Sequence, residues 1–512
     1  MRTQHPEDII PNGSHVPFDT ASEVAAPVPP SGDTRPETAT IQKRALGGVL
    51  SLVGREAVIR LMSVFGAVAL AWLLTPIEYG LFGIATFVIG IATLFSELGL
   101  GAAFIRRKEE VTDKELNAMF TLQLAFVSVL AAGLFLSAPA IAGLYNIAAV
   151  EWLIRALAIN VIVTSLRSVP VVVAERNLNY RPIALADIVG QFSYWTVAIS
   201  AAFLGFGVWS LVAAVLASGL SGTIALYSRT SWRPALELDW RPLMDNLRFG
   251  LLYQTQSLGS FVKDTMIPGL GGPIFGPTVV GYLTWAFQLT NVPMMLSRLV
   301  ARVSYPALGK VRDDSPAFTT MLEAAIGWTC RLSLPLFAVI VGLAPQLIAY
   351  VFTPKWLPAE TSIYLLTINM VLDIGAGIFV AALYSLGRGG FVVRTMLVWA
   401  GLTWSSALAL ISLGIGFEAI AAGYAIGTAI ALPIMVFGLR GVGGVLLLRP
   451  AALPCVTGVA GAILLYFSRP WVVDVWSLFI VAGLSGVTMW AINLWPHRQT
   501  IFTAARGYLG GT

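Results

Sequence analysis

Charge is scarce in this sequence, and so are the residues that most often carry out chemistry. Only 12% of the 512 residues are Asp, Glu, Lys or Arg, about half the charged share of a typical soluble domain. The two cysteines, Cys330 and Cys455, both lie in apolar runs, which excludes a disulfide framework and a cysteine metal cluster. The three histidines, His5, His15 and His497, all fall outside those runs, so no histidine is placed for catalysis inside them. No metal and no cofactor is expected. The N-terminus lacks a basic segment followed by an apolar one, and so does not read as a cleaved secretion signal. Residues 1–42 are instead rich in Pro, Ser, Thr and acid without an apolar period, the composition of a disordered tail.

What the sequence does have is apolar length. Hydrophobic residues make up 57% of the chain, with a mean hydropathy of +0.78. They come in runs near the ~20 residues that cross a hydrocarbon core of ~30 Å. Fourteen candidate spans result, near 46–74, 79–104, 117–141, 149–173, 183–205, 207–228, 247–270, 279–305, 318–343, 361–386, 391–413, 416–438, 451–468 and 472–495.

The net charge of +5 does not form a soluble basic face, so no nucleic acid is expected as a partner; membrane lipids are. Alternate loops carry 18 Lys and Arg, among them Arg106, Arg107, Lys108, Arg229, Arg233 and Arg440, whereas the opposite set holds only Lys355 and Arg469. By the positive-inside rule, this bias puts both termini in the cytoplasm.

The chain also repeats itself. LTPIEYGLFGIATF, from Leu74, aligns with FGPTVVGYLTWAFQ, from Phe275, placing Pro76 on Pro277 and Gly80 on Gly281. Gly205 and Gly207 match Gly414 and Gly416 further on. Repeats of six spans run in the same direction, so the halves are parallel repeats about an axis along the membrane normal, with a substrate site between them. The expected architecture is an all-α polytopic membrane protein of about 14 helices. Two six-helix lobes, 43–228 and 247–440, are joined by a cytoplasmic linker at 229–246. Helices 13 and 14 follow at 451–495, and a cytoplasmic tail at 496–512.

Several segments resemble a known family. They are AWLLTPIEYGLFGIATFVIGIATLFSELGLGAAFIRR, SWRPALELDWRPLMDNLRFGLLYQTQSL, SRLVARVSYPALGKVRDD and LAPQLIAYVFTPKWLPA. In this order, over roughly Gly47 to Gly444, the chain resembles the Wzx-type oligosaccharide flippases. These belong to the polysaccharide branch of the multidrug/oligosaccharidyl-lipid/polysaccharide exporter superfamily. The resemblance implies two lobes forming a V around a central cavity, in a bacterial inner membrane. It also implies a cargo: an oligosaccharide repeat unit on undecaprenyl pyrophosphate, moved from the cytoplasmic to the periplasmic leaflet. A polysaccharide polymerase and a chain-length regulator are the expected protein partners.

Ionisable residues within spans are costly, and are functional candidates by default. Arg60 and Lys263 lie deep in the equivalent first helices of the two repeats, and Arg298 and Arg302 sit one turn apart on span eight. Like charges at that spacing repel unless an anion joins them, and guanidinium and ammonium groups both bind phosphate. Arg60, Lys263, Arg298, Arg302 and Arg331 are therefore the candidate substrate-binding residues, and Glu56, Glu97, Asp264 and Asp373 the candidate gating or ion-pair residues.

Other readings stand beside these. Glu56 and Arg60 are spaced to pair with each other, and Lys263 to pair with a carboxylate on a neighbouring helix. Arg302 and Arg167 lie near enough to span ends to snorkel, and Asp187 and Asp373 suit a coupling-ion or a structural role. Trp209, Trp356 and Trp471 fall near span ends and read as interfacial belt or packing residues. Gly80, Gly281, Pro76 and Pro277 read as tight turns, or as a gate hinge. The main functional rival is a small-molecule or drug antiporter of the same superfamily, and a weaker one is a membrane-embedded polysaccharide polymerase. No enzymatic activity is expected, because the short outer loops hold Glu78 as the one acid of the first of them.

Overall fold

The computed structural model describes residues 59, 62–96, 104, 111–238, 261–440 and 448–499. The expected tail 1–42 and the cation-rich stretch 105–110 lie outside them. Among the described residues the chain is helical with no strand, the form in which a backbone satisfies its own polar groups within lipid.

In the first half, α1 (Met62–Leu73) leads into α2 (Pro76–Ser96). Then come α3 (Asp113–Tyr145), α4 (Ala148–Ser165), α5 (Ser168–Arg176), α6 (Arg181–Phe203) and α7 (Val208–Tyr227). The second half holds α8 (Met266–Phe275), α9 (Pro277–Thr290), α10 (Met294–Lys310), α11 (Ser315–Gly342), α12 (Glu360–Asp373), α13 (Ala376–Ser385), α14 (Gly389–Ser412) and α15 (Glu418–Gly438). Two more helices, α16 (Leu448–Ser468) and α17 (Val475–Leu494), close the described chain.

Eleven helices among the described residues are long and apolar enough to cross a membrane. The remaining three of the fourteen predicted spans fall on shorter pieces. Only Met62–Leu73 of the first is described as an apolar helix. The seventh is broken at Thr265, where α8 begins, and the eighth is split into α9 and α10 at Pro293. The breaks have local causes. Gly276, at φ 84°, ends α8 in a conformation that favours glycine, and Pro277 sits at the first position of α9, where its missing N–H costs nothing.

The duplicated sequence has a structural counterpart in two antiparallel hairpins, α6 against α7 and α14 against α15. Each turns on a positive-φ glycine, Gly205 at 83° and Gly414 at 82°, which are the two glycines that match in the repeat. Apolar side chains gain little by leaving lipid for protein, so helix contacts rely on close packing of small residues. Gly423 and Gly427 lie so near the Ala407 and Thr403 backbone that a methyl group at either would overlap it. By contrast α16 and α17 pack on α11 and on each other while leaving Val456, Leu464, Trp476 and Leu484 largely exposed, the pattern of a lipid-facing flank.

Candidate functional site

A charged cluster forms in the second half, around the helix break before α8. The Lys263 ammonium lies 3.2 Å from Asp264 Oδ1 and 4.3 Å from the centroid of the Trp399 ring on α14. The lysine side chain is 16% exposed and that of Asp264 52%, so the ammonium is the deeper partner. Adjacent residues of a regular helix do not face one another; the break at Thr265 lets this pair meet.

Side-chain donors hold the break in place. Trp404 Nε1 donates to the Val262 carbonyl at 2.9 Å, and the Tyr424 hydroxyl donates to the Asp264 carbonyl at 3.1 Å. The Trp399 ring is fixed in turn. Its Nε1 donates to Thr428 Oγ1 at 3.1 Å, and Thr428 donates to Asn369 Oδ1 at 2.6 Å. Asp373, one turn beyond Asn369 on α12, interacts electrostatically with Lys263, Asp264 and Arg298. Arg298, on α10, donates from Nη2 to Asn291 Oδ1 at 2.9 Å. Cations, carboxylates and an aromatic face therefore meet within one bundle. An ammonium whose counter-ions are partly solvated carboxylates can exchange one of them for a phosphate oxygen.

The structure thus brings Lys263, Asp264, Asp373 and Arg298 together, and pairs Lys263 with its own neighbour as well as with the field of a carboxylate on another helix. Arg302 is exposed, one turn further along α10. Arg331 lies elsewhere: its guanidinium stands over the Trp328 ring, against Gly327 and Pro450 of α16. Glu56, Arg60 and Glu97 lie outside the described residues. Asp187 is bound to Arg167 at 3.0 Å, joining α6 to the start of α5, and Arg155 pairs with Glu151 at 2.6 Å within α4.

A second feature joins the halves. The helices α2 and α9 pack against each other, crossing at the repeat-related Gly80 and Gly281. A Cβ at Gly80 would overlap the Pro277 carbonyl, and one at Gly281 would overlap the Pro76 carbonyl. Both glycines lie inside helices, so they serve a close crossing rather than a tight turn; the prolines begin the two helices.

Trp356 fills the space beside this crossing and is fully buried, not a belt residue as its span-end position suggests. Its ring stacks on Trp285 at 4.8 Å and meets Tyr79 edge-on at 5.2 Å. Its Nε1 donates to the Ala71 carbonyl at 3.0 Å, while Lys355 Nζ donates to the Trp72 carbonyl at 2.9 Å. Trp72 Nε1 returns a bond to the Val351 carbonyl at 2.7 Å. The last carbonyls of α1, which no helical N–H reaches, are therefore capped from the other half of the chain. The repeat matched these Pro and Gly positions in the sequence without showing that they cross, and Trp356 stood there only as a belt or packing residue.

Comparisons with known proteins agree on family and fold. A family model described as polysaccharide biosynthesis protein matches residues 69–361. The chain is 25% identical to the teichuronic acid biosynthesis protein TuaB of Bacillus subtilis, over 55% of its own length and 59% of that relative. It is 22% identical to the succinoglycan biosynthesis transport protein ExoT of Rhizobium meliloti, over 65% and 67%. It is 23% identical to the lipopolysaccharide biosynthesis protein WzxC of Escherichia coli, over 54% and 57%. The match thus spans between about half and two thirds of these relatives' own lengths. Among solved structures, the fold matches the lipid II flippase MurJ in an inward closed conformation, with a TM-score of 0.70 at 13% identity, over 88% of this chain and 100% of that one. It also matches an inward-facing multidrug resistance MATE transporter, with a TM-score of 0.62 at 18% identity, over 75% and 94%.

Proposed function

The chain belongs to the polysaccharide biosynthesis protein family, and we propose that it carries an oligosaccharide repeat unit, linked to undecaprenyl pyrophosphate, across the membrane. It is a multi-pass membrane protein with the fold of flippases and transporters. The observation that carries the reading is the Lys263 cluster. An ammonium held within a membrane bundle, with Arg298 acting on the same carboxylate, is costly to keep and suits an anionic cargo.

In this reading the sugar-pyrophosphate headgroup enters from the cytoplasmic side, and the prenyl tail stays in the bilayer. The phosphates replace Asp264 or Asp373 as partner of Lys263, with Arg298, Arg302 and Arg60 of the first half adding cations along the path. The seam of Gly80, Gly281 and Trp356 lies at the periplasmic end that the charge alternation assigns, and parts when the protein opens outward. Both termini are then cytoplasmic, the membrane is the bacterial inner membrane, and a polymerase and chain-length regulator receive the product. Outward movement of negative charge gains about 2.3 kcal/mol per charge per 100 mV of inside-negative potential.

The test is replacement of Lys263 by Ala in the native host. The expected result is loss of surface polysaccharide, accumulation of carrier-linked repeat units on the cytoplasmic leaflet, and undiminished protein in the membrane. Normal export would remove the cluster from the mechanism. A second reading, small-molecule antiport, draws on the carboxylates Asp264 and Asp373. It predicts normal polysaccharide and lost drug resistance from the same variant.

A further inference from the structure

Among the described residues, Arg331 has no counter-ion within ion-pair distance. Its Nε is buried with no hydrogen-bond partner, and among the described residues no carboxylate, carbonyl or hydroxyl bonds to its guanidinium. It has only the Trp328 ring, 5.6 Å from its Cζ, and the His497 ring lies 5.6 Å from that of Trp328. The residue as a whole is half-buried, and a cation–π contact does not replace the hydrogen bond that its buried Nε loses on leaving water. Of the other intramembrane cations described above, Arg155, Arg167 and Lys263 each have a carboxylate within ion-pair distance.

The surroundings of Arg331 set its depth. Its side chain runs back one turn along α11, where Gly327 leaves room for Nη1 beside Pro450 of α16. Further along, Gly342 meets Leu465, so α16 runs parallel to α11 between these two contacts. The 21 residues of α16 rise about 31 Å, close to the hydrocarbon thickness of about 30 Å, so its two ends mark the two interfaces. The end of α17 returns to the same level as the start of α16, with Trp490 Nε1 donating to the Leu332 carbonyl at 3.1 Å. Arg331 thus reaches one interface, where Arg449 begins α16, and His497 and Arg498 follow α17. Trp495 is 66% exposed beside them. Three arginines and a histidine stand near that interface on the lipid-facing flank, Arg331 from within the second repeat and Arg449, His497 and Arg498 from beyond it.

We propose that this corner binds the phosphate of an anionic bilayer phospholipid, with Arg331 as the principal ligand, Gly327 as the space it occupies, and Arg449 and His497 flanking it. The acyl chains lie along the exposed apolar surface of α16 and α17. The site is separate from the Lys263 cluster. Its assignment to the cytoplasmic leaflet rests on the charge alternation, whereas the binding itself does not.

The experiment uses the full-length protein in nanodiscs of phosphatidylcholine doped with phosphatidylglycerol, and reads the thermal midpoint and, by mass spectrometry, the phosphatidylglycerol that stays bound after detergent extraction. Wild-type protein and Arg312→Gln, an exposed control, are expected to rise in midpoint with phosphatidylglycerol and to retain it. Arg331→Gln is expected to need roughly tenfold more phosphatidylglycerol for the same rise, the scale of one lost charge-assisted hydrogen bond. Gly327→Ala, which fills the space without changing charge, is expected to shift in the same direction. If Arg331→Gln does not fold, retained phosphatidylglycerol in Gly327→Ala and Arg331→Lys decides. An unchanged response and unchanged retention in these variants overturn the proposal. So does a rise produced by undecaprenyl pyrophosphate alone and not by phosphatidylglycerol, which would give the corner to the carrier.

Discussion

The seam between α2 and α9 and the cluster around Lys263 are built on opposite terms. The seam is near-symmetric: Pro76 and Gly80 of one half cross Pro277 and Gly281 of the other, each glycine under the other helix's proline carbonyl. Its chemistry is backbone contact, aromatic packing and capped carbonyls. The cluster is asymmetric and charged: Lys263 and Asp264 fall in the second half, and the Trp399–Thr428–Asn369 ladder behind them is built from second-half helices alone. A symmetric contact of small residues suits two bodies that must close against each other and separate, because it loses little when parted. Charge placed on one side of a pseudo-symmetry axis suits a single headgroup, which has no symmetry to match.

The strongest way to break this comparison is to remove the close approach. Gly281→Leu forces a side chain into the Pro76 carbonyl, and overpacking of this kind costs about 1–3 kcal/mol or more. The expected outcome is a thermal midpoint lowered by several degrees in purified protein, and abolished export. If instead midpoint and export were retained, the halves would not need to close at Gly80 and Gly281. On the other side of the comparison, Thr428→Val removes the hydroxyl that accepts from Trp399 Nε1 and donates to Asn369. Two buried polar groups are then left unpaired, at about 1–3 kcal/mol for each such group. Export should fall while the seam stays intact, which a disulfide between Gly83→Cys and Thr284→Cys, where a Cβ at Gly83 would lie 3.4 Å from Thr284 Oγ1, would report by forming as readily as in the background without Thr428→Val. Lost cross-linking would mean that the cluster and the seam are not independent.

Much of the fold was legible because lipid imposes a length on every span and a charge bias on every loop. Among the described residues, helices occupy the predicted positions, and eleven of them are long and apolar enough to cross a membrane. The breaks at Thr265 and Pro293 were harder to read, since an apolar run does not say whether the helix inside it is continuous. The Lys263–Asp264 contact depends on such a break. For Arg331, hydropathy marks an intramembrane cation but not the side of α11 it occupies, and that side faces α16 rather than Lys263. Trp356, readable as a belt or as a packing residue, falls to packing for a related reason. The belt rule uses distance from a span end, whereas the segment after α11 turns back through a π-helical stretch, Leu347–Phe352, and a 3-10 turn, Pro354–Ala359, carrying the indole into the bundle.

That indole gives the finest test of the comparison, because it separates packing from hydrogen bonding within the seam. Trp356→Phe keeps an aromatic ring against Trp285 and Tyr79 but removes the Nε1–H that caps the Ala71 carbonyl. This carbonyl belongs to the last turn of α1, and Thr75 N, which would otherwise approach it, is engaged by Glu78 Oε2 at 2.6 Å. The carbonyl is thus left without its donor, at a cost of about 1 kcal/mol, with a further loss from the smaller ring. Lys355, still bound to the neighbouring Trp72 carbonyl, limits the damage by keeping a positive charge at the negative end of α1. The expected result is a midpoint lowered by a few degrees, with export reduced but present, and a larger combined loss when Lys355→Met is added. Equal midpoints for the single and double variants would mean that the two caps do not share the end of α1, and that the seam rests on glycine packing alone.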